Sequence, residues 1–197
     1  MVEWIRPTTN TIRTTDSFAA HVARKSGLPG LDYACPVGEP IMAMKSGVVT
    51  RAGATPAANG KNVRIAHDDG TTSYYLHFSA LYVVVGQRVN QGNVIGLSGN
   101  TGRTTGPHLH VSIANKAGVL IDPASVIDKA QPSPAPTKRT VKLGSRCPEV
   151  VYLQTRLGIR ADGIFGPLTR SATIKFQKAR GLVADGIVGP KTWAALG

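Results

Sequence analysis

Residues 61–90, KNVRIAHDDGTTSYYLHFSALYVVVGQRVN, decide the fold class. Apolar and β-branched residues come in short, partly alternating runs, and Asp69-Gly70 interrupts them where a hairpin turn would fall. The neighbouring runs GEPIMAMKSGVVTRAG (38–53) and GNVIGLSGN (92–100) have the same grain. No stretch of ten residues in this half shows a helical period. The pattern predicts a mainly antiparallel β-domain whose edges and loops carry the chemistry.

Beyond residue 128 the pattern changes. KAQPSPAPTKRT (129–140) alternates Pro132, Pro134 and Pro136 with small residues and offers nothing to a core. It reads as a stiff polyproline linker between a domain at 1–128 and a smaller one at 141–197. In the smaller part Val150, Leu153 and Leu157 recur at helical spacing, followed by Gly158. Leu168, Ala172, Phe176 and Ala179 do the same before Gly181, and predict the buried stripe of a second helix. DGIFGPLT (162–169) returns as DGIVGPKT (185–192), each copy an Asp-Gly turn, an apolar plug and a Pro-started helix. Three short helices on two similar loops make a small all-α binding module without a histidine.

Composition narrows the function classes. The 197 residues are 42% hydrophobic and 17% charged, which excludes general disorder. No apolar run approaches the roughly 18–20 residues of a membrane span, so no membrane insertion is expected. The net charge is +12. It is shared unequally, with 12 basic and 8 acidic residues up to Ala130 against 11 and 3 from Gln131 onward. Such a balance calls for a polyanionic partner: nucleic acid, anionic lipid or an acidic wall polymer. Nucleic acid is the weakest of these, because no basic stripe is interleaved with aromatics. Cys35 and Cys147 have no CxxC spacing and read as two buried reduced thiols.

Chemistry concentrates in five histidines, His21, His67, His77, His108 and His110. In GPHLHVSI, His108 and His110 share one face of a strand, while Leu109 and Val111 turn to the core behind. An HxH by itself is weak, expected in about one random arrangement in ten. Taken singly, His77 reads as a core histidine and Asp32 as a turn carboxylate. Taken jointly, these residue types suit a hydrolytic zinc site: two imidazoles and one carboxylate on the ion, an open position for water, and further imidazoles for proton transfer. Tyr75, two positions before His77, would share its face on a regular strand and could assist an oxyanion, although an ordinary strand tyrosine fits equally.

PGLDYACPVGEP (29–40), NVRIAHDDGTTSYYLHFSAL (62–81) and GQRVNQGNVIGLSGNTGRTTGPHLHVSI (86–113) together resemble the lysostaphin/LytM-type zinc endopeptidases of peptidoglycan. The repeated DGI loops resemble the short helical peptidoglycan-binding domain found beside many wall hydrolases. The resemblance implies Zn²⁺ as cofactor, Asp32 and His110 as metal ligands, His77 and His108 as catalytic imidazoles, and His67 as structural. It departs at one point. The family has HxxxD, and Leu28 stands four positions before Asp32. His21 is the only histidine upstream, and VARKSGLPGL (22–31) could loop out to return it to the metal. The alternatives are a site with two protein ligands or a surface His21.

The expected function is therefore a wall-lytic zinc endopeptidase held on peptidoglycan and its anionic polymers by the basic module, acting as a monomer. The competing expectation is a degenerate fold that binds peptidoglycan or regulates another hydrolase. MVEWIRPTTNTIRTTD (1–16) lacks the apolar run of a secretion signal. A bacteriophage endolysin, made in the host cytoplasm and released onto the wall, reconciles that start with a wall substrate.

Overall fold

The computed structural model describes residues 4–8, 14–55, 58–127, 139–145, 147–161 and 163–196. The chain divides into two compact units, Met1–Pro134 and Ala135–Gly197. The linker expected at 129–140 lies outside the described residues except for Arg139 and Thr140.

The first unit runs β1 (Thr14–Asp16), α1 (Phe18–Ala23), β2 (Leu31–Ala34), β3 (Pro40–Met42), β4 (Gly47–Thr55), β5 (Gly60–His67), β6 (Thr72–Phe78), β7 (Ala80–Leu81), β8 (Arg88–Val89), β9 (Val94–Leu97), β10 (His108–Ala114) and β11 (Leu120–Ile121). One sheet has the order β1-β2-β10-β6-β5-β4-β8, with β11 also on β10, and a smaller sheet has the order β3-β9-β7. All strand pairs between these elements are antiparallel. The β5–β6 hairpin turns where Asp69 falls, its carboxylate accepting from the Thr71 N–H at 3.1 Å.

Period-2 alternation sends Val49, Val63, Ile65, Tyr75, Leu109, Val111 and Ile113 to one face of the large sheet, where they join Ile41, Met44 and Ile95 in the core. Each fully buried side chain of this size contributes roughly 1.5–3 kcal/mol. The opposite face carries His108, His110 and Ser112 on β10. That second face is polar but also covered, with His110 and Ser112 buried and His108 half-buried.

The structure corrects two expectations here. Tyr75 does not share a face with His77. Its ring is wholly buried, and its hydroxyl accepts from the Met44 N–H at 2.8 Å. The cause is a left-handed backbone at His77 (φ 71) within an irregular stretch of β6: Lys61 pairs Phe78 and Val63 pairs Tyr75. The extra residue lets Tyr75 and Phe78 both enter the core and turns His77 out. Helix α1 is the other addition, six residues in a part where no helix was expected. It is too short for a periodic signal. Ser17 caps it, its hydroxyl accepting from Ala20 N–H at 3.2 Å.

The second unit contains α2 (Pro148–Arg156), α3 (Pro167–Ala179) and α4 (Pro190–Leu196). Proline opens each helix, and Gly158 (φ 69) and Gly181 (φ 65) follow the first two in left-handed conformation. Phe165 and Val188, in the repeated loops, are the buried plugs. The stripe predicted for α3 is wrong. Leu168 is 84% exposed, and the buried face is Thr169, Thr173 and Gln177. These polar residues serve as clamps. Gln177 Nε2 donates to the Ile187 carbonyl at 2.9 Å and its Oε1 accepts from Gly186 N–H at 2.9 Å. Gln154 does the same to Ile164 (3.0 Å) and Gly163 (2.9 Å). The two glutamines stand in the same relation to their loops because the repeat extends back into the preceding helix.

Candidate metal centre and its imidazoles

Two strands and one helix build the centre. On β2, Asp32 pairs directly with His110 of β10, and Ala34 pairs with His108. The preceding strand β1 lies against β2 with Asp16 opposite Asp32. Helix α1 begins two residues later, so its single buried residue, His21, is delivered to the same spot. VARKSGLPGL supplies the last two residues of α1, the turn that follows and the first residue of β2, and so leads the chain from His21 straight back to Asp32.

Asp32 is the hub. His110 Nδ1 is 2.7 Å from Oδ1, His21 Nε2 is 3.4 Å from Oδ2, and His108 Nε2 is 3.9 Å from Oδ2. His21, Asp32 and His110 each offer one ligand atom, and these atoms lie within 4.8 Å of one another. The His77 ring centroid is 4.6 Å from that of His108 and 6.3 Å from that of His110. All five expected site residues thus meet. His67 lies apart, 2.9 Å from the Ser46 carbonyl and 2.8 Å from Ser73 Oγ, with Trp4 against its ring.

Each imidazole is fixed through one nitrogen. Nδ1 of His21 meets the Ser17 carbonyl at 3.0 Å, Nδ1 of His77 the Thr101 carbonyl at 2.8 Å, and Nδ1 of His108 the Gly106 carbonyl at 2.8 Å. A carbonyl only accepts, so in all three Nδ1 carries the proton and Nε2 is the working nitrogen. His110 is reversed: its Nε2 meets Ser112 Oγ at 2.9 Å and its Nδ1 faces Asp32. A Cβ at Gly30 would lie 2.6 Å from Ser112 Oγ and 2.8 Å from His110 Nε2, so only glycine leaves room for that bond. Ser17, Thr101, Gly106, Ser112 and Gly30 were not among the residues singled out from the sequence. Only Ser112 had a legible signal, lying two positions beyond His110 on the same strand face.

The electrostatics sort the groups. Burial works to raise the Asp32 carboxyl, but the hydrogen bond from His110 and the charges of His110, His108 and His21 outweigh it and hold it below its usual range. Burial brings His77 down to about 4, assisted by its imidazole neighbours and opposed by the Thr101 bond. His77 is therefore neutral near pH 7.

The donor set, two imidazole nitrogens and one carboxylate oxygen, suits Zn²⁺ with a position left open, and each donor nitrogen is backed by a second hydrogen bond. In the second unit, Leu182, Val183, Ile187, Pro190 and Lys191 line a groove of about 440 Å³ beside the second repeated loop. Cys35 is buried and Cys147 half-buried, both as free thiols.

Comparison with known proteins places these features. Residues 26–123 match "Peptidase family M23", and residues 148–196 match "Putative peptidoglycan binding domain". Peptidoglycan DD-endopeptidase ShyA of Vibrio cholerae is 46% identical over 84 residues, 43% of this chain and 19% of that protein. Glycyl-glycine endopeptidase ALE-1 of Staphylococcus capitis is 40% identical over 82 residues, 41% of this chain and 23% of that protein. A crystal structure of a zinc containing peptidase from Vibrio cholerae superposes with a TM-score of 0.52 at 29% identity, covering 61% of this chain and 39% of that one. The chain matches 18% to 24% of the length of the first curated relatives. The β-sheet unit with its His and Asp cluster belongs to peptidase family M23, and the helical unit that follows matches the "Putative peptidoglycan binding domain" family.

Proposed function

We propose that the chain is a zinc-dependent endopeptidase that hydrolyses peptide bonds in peptidoglycan, with its helical unit as a wall anchor. The observation that carries this reading is the convergence of His21 Nε2, Asp32 and His110 Nδ1, with the free Nε2 atoms of His77 and His108 beside them. His21, Asp32 and His110 hold the ion, and His21 takes the part of the histidine that Leu28 replaces. Bound zinc supplies a Lewis acid and an acidified water at neutral pH. His77, neutral and fixed by Thr101, can take a proton at Nε2. His108, fixed by Gly106, presents Nε2 beside Asp32; once Nε2 has taken up a proton, the imidazolium can give it to a leaving amine or donate a hydrogen bond to a developing oxyanion.

The groove at the second DGI loop and the excess of basic residues from Gln131 onward support docking of the helical unit on peptidoglycan and its anionic polymers. Tethering then raises the wall concentration seen by the peptidase unit. Within this reading the chain acts as a monomer and serves a phage in host lysis. Sedimentation tests the first point, and lysis of cells that co-express the chain with a membrane-permeabilising protein tests the second.

The test of the main reading is release of new amino termini from purified walls. Activity that disappears with a strong chelator and returns with Zn²⁺ supports it. Undiminished activity in metal-free protein, or a zinc-loaded chain that opens no wall peptide, overturns it.

A further inference from the structure

The sheet face that carries the imidazoles continues away from them as one cross-strand row. Ser112 of β10 pairs with Tyr74 of β6, Tyr74 with Arg64 of β5, and Arg64 with Arg51 of β4. The row lies one pair of residues along β10 from His110. Val63 and Ala52, next to the two arginines in their strands, turn to the core, so both guanidinium groups leave on the open side. Both arginines are exposed.

Two like charges directly opposite on neighbouring strands cost stability. Arg51 and Arg64 nevertheless face each other, and neither takes part in an ion pair among the described residues. Arg24, Arg88 and Arg139, by contrast, each hold an acid. The local backbone is also shaped around Arg64. The β4–β5 register shifts between Val49 and Arg51, leaving Thr50 as the extra residue. Its hydroxyl donates to the Arg64 carbonyl at 3.3 Å and accepts from Arg64 Nε at 3.0 Å. That clamp holds the stem and leaves the two Nη groups as a fork, the geometry that binds a carboxylate.

We infer that Arg64 and Arg51 form a carboxylate-binding subsite of the peptidase unit, with Tyr74 bridging it to the imidazole cluster, so that the substrate is a cross-linked stem peptide bearing a free carboxylate. A bridge of glycine alone would leave the pair without a partner. Neighbouring strands are about 4.8 Å apart, which puts the Arg64 backbone roughly 10 Å across the sheet and 7 Å along it from that of His110. An extended peptide rising about 3.3 Å per residue therefore brings a carboxylate two to four residues from the scissile bond to the arginine fork. This inference rests on the endopeptidase reading above.

The experiment uses the zinc-loaded full chain and two synthetic cross-linked stem peptides, one with free carboxylates and the other with each converted to carboxamide. Steady-state constants are measured for the wild type, Arg64→Ala, Arg64→Lys and Arg51→Ala, with zinc content and thermal midpoint recorded for each. The wild type is expected to favour the carboxylate peptide about tenfold or more, chiefly through KM, because a charge-assisted pair is lost with the amide. Arg64→Ala should bring the ratio close to one, Arg51→Ala should lower it, and Arg64→Lys should leave an intermediate ratio by keeping charge without the fork. Parity of the two peptides with the wild type, or an Arg64→Ala loss of equal size on both, overturns the subsite and leaves the endopeptidase reading standing. Cleavage of neither peptide overturns that reading, and the subsite with it.

Discussion

His21 Nε2 stands 3.4 Å from Asp32 Oδ2, although ten residues of chain separate them where the family pattern has three. Ligand geometry at an ion constrains positions in space and leaves the intervening chain free. Helix α1 buries no residue other than His21, so this imidazole is also its main attachment to the sheet. His21→Ala should lower zinc affinity well beyond the roughly 10–100-fold lost with an outer hydrogen-bond partner. Zinc should also slow amide exchange across Phe18–Ala23 in the wild type and leave that exchange unchanged in the variant. Competition with a chromophoric chelator and exchange mass spectrometry make the check, and wild-type affinity in His21→Ala would remove it from the ligand set.

The paired histidines of β10 separate binding from turnover. His110 has its Nδ1 on the Asp32 side, whereas His108 Nε2 is 3.9 Å from that carboxylate and its ring packs on His77. His110→Ala is expected to lose zinc. His108→Ala should retain close to one zinc per chain and lose turnover by about 10²–10⁴-fold, the range of a general acid–base group. Metal analysis beside kcat on wall fragments distinguishes the two. Loss of zinc in both variants would mean that His108 is a ligand.

How much of this was written in the sequence follows from the range over which each feature acts. The β-class, the Asp69 turn and the proline-opened helices are local, and each shows in a few neighbouring residues. The cluster of His77, His108, His110 and Asp32 was legible through the wording of three separated stretches. The side of the strand on which His77 emerges was not, because it depends on a positive φ and a register shift that alternation assumes away. The carbonyls of Ser17, Thr101 and Gly106 that fix the rings are backbone groups, which any residue supplies. The buried face of α3 was misread because hydrophobicity marked Leu168, while the loops needed Thr169, Thr173 and Gln177 for hydrogen bonds.

Ser112 Oγ gives the His110 proton a place on Nε2. With a metal bound, Nε2 donates to Ser112 Oγ and Nδ1, which otherwise donates to Asp32, has its lone pair for the ion. Ser112→Ala should therefore lower zinc affinity by about 10–100-fold with the fold retained. Gly30→Ala should act in the same direction and also destabilise, since its Cβ would lie 2.1 Å from the Val111 carbonyl. Chelator competition and thermal midpoints measured together test both. Unchanged affinity in Ser112→Ala would leave the hydroxyl without a role in tuning.

The glutamine clamps give the helical unit its loop geometry. Gln177→Ala strands the buried Gly186 N–H, which loses its acceptor, at a cost of about 1–3 kcal/mol. Gln154→Ala should cost a similar amount through Gly163. Amide exchange at Gly186 should accelerate in Gln177→Ala, and that at Gly163 in Gln154→Ala. Exchange unchanged at both glycines would show that the side-chain amides do not hold the loops.

His67 makes the β-unit sensitive to acid without touching the candidate metal centre. Its Nδ1 donates to the Ser46 carbonyl at 2.9 Å, which leaves Nε2 to accept from the Ser73 hydroxyl at 2.8 Å in the neutral ring. Ser73 and Tyr75 continue the chain with hydroxyls 3.1 Å apart. Burial is the main force holding the His67 pKa below its ordinary 6.5, and nearby Lys45 adds to it, while the Ser46 bond, Asp69 and Asp68 oppose it. Because the folded pKa is the lower one, the unfolded chain takes up the proton first as pH falls. The stability contributed by neutral His67 is thus present above pH 6.5 and is lost as acidification proceeds through the depressed folded value. Denaturation midpoints from pH 7.5 down to 4.5 should fall more steeply for the wild type than for His67→Gln, which keeps polar atoms but cannot take up the proton. Parallel curves for the two proteins would exclude His67 as a source of the acid sensitivity.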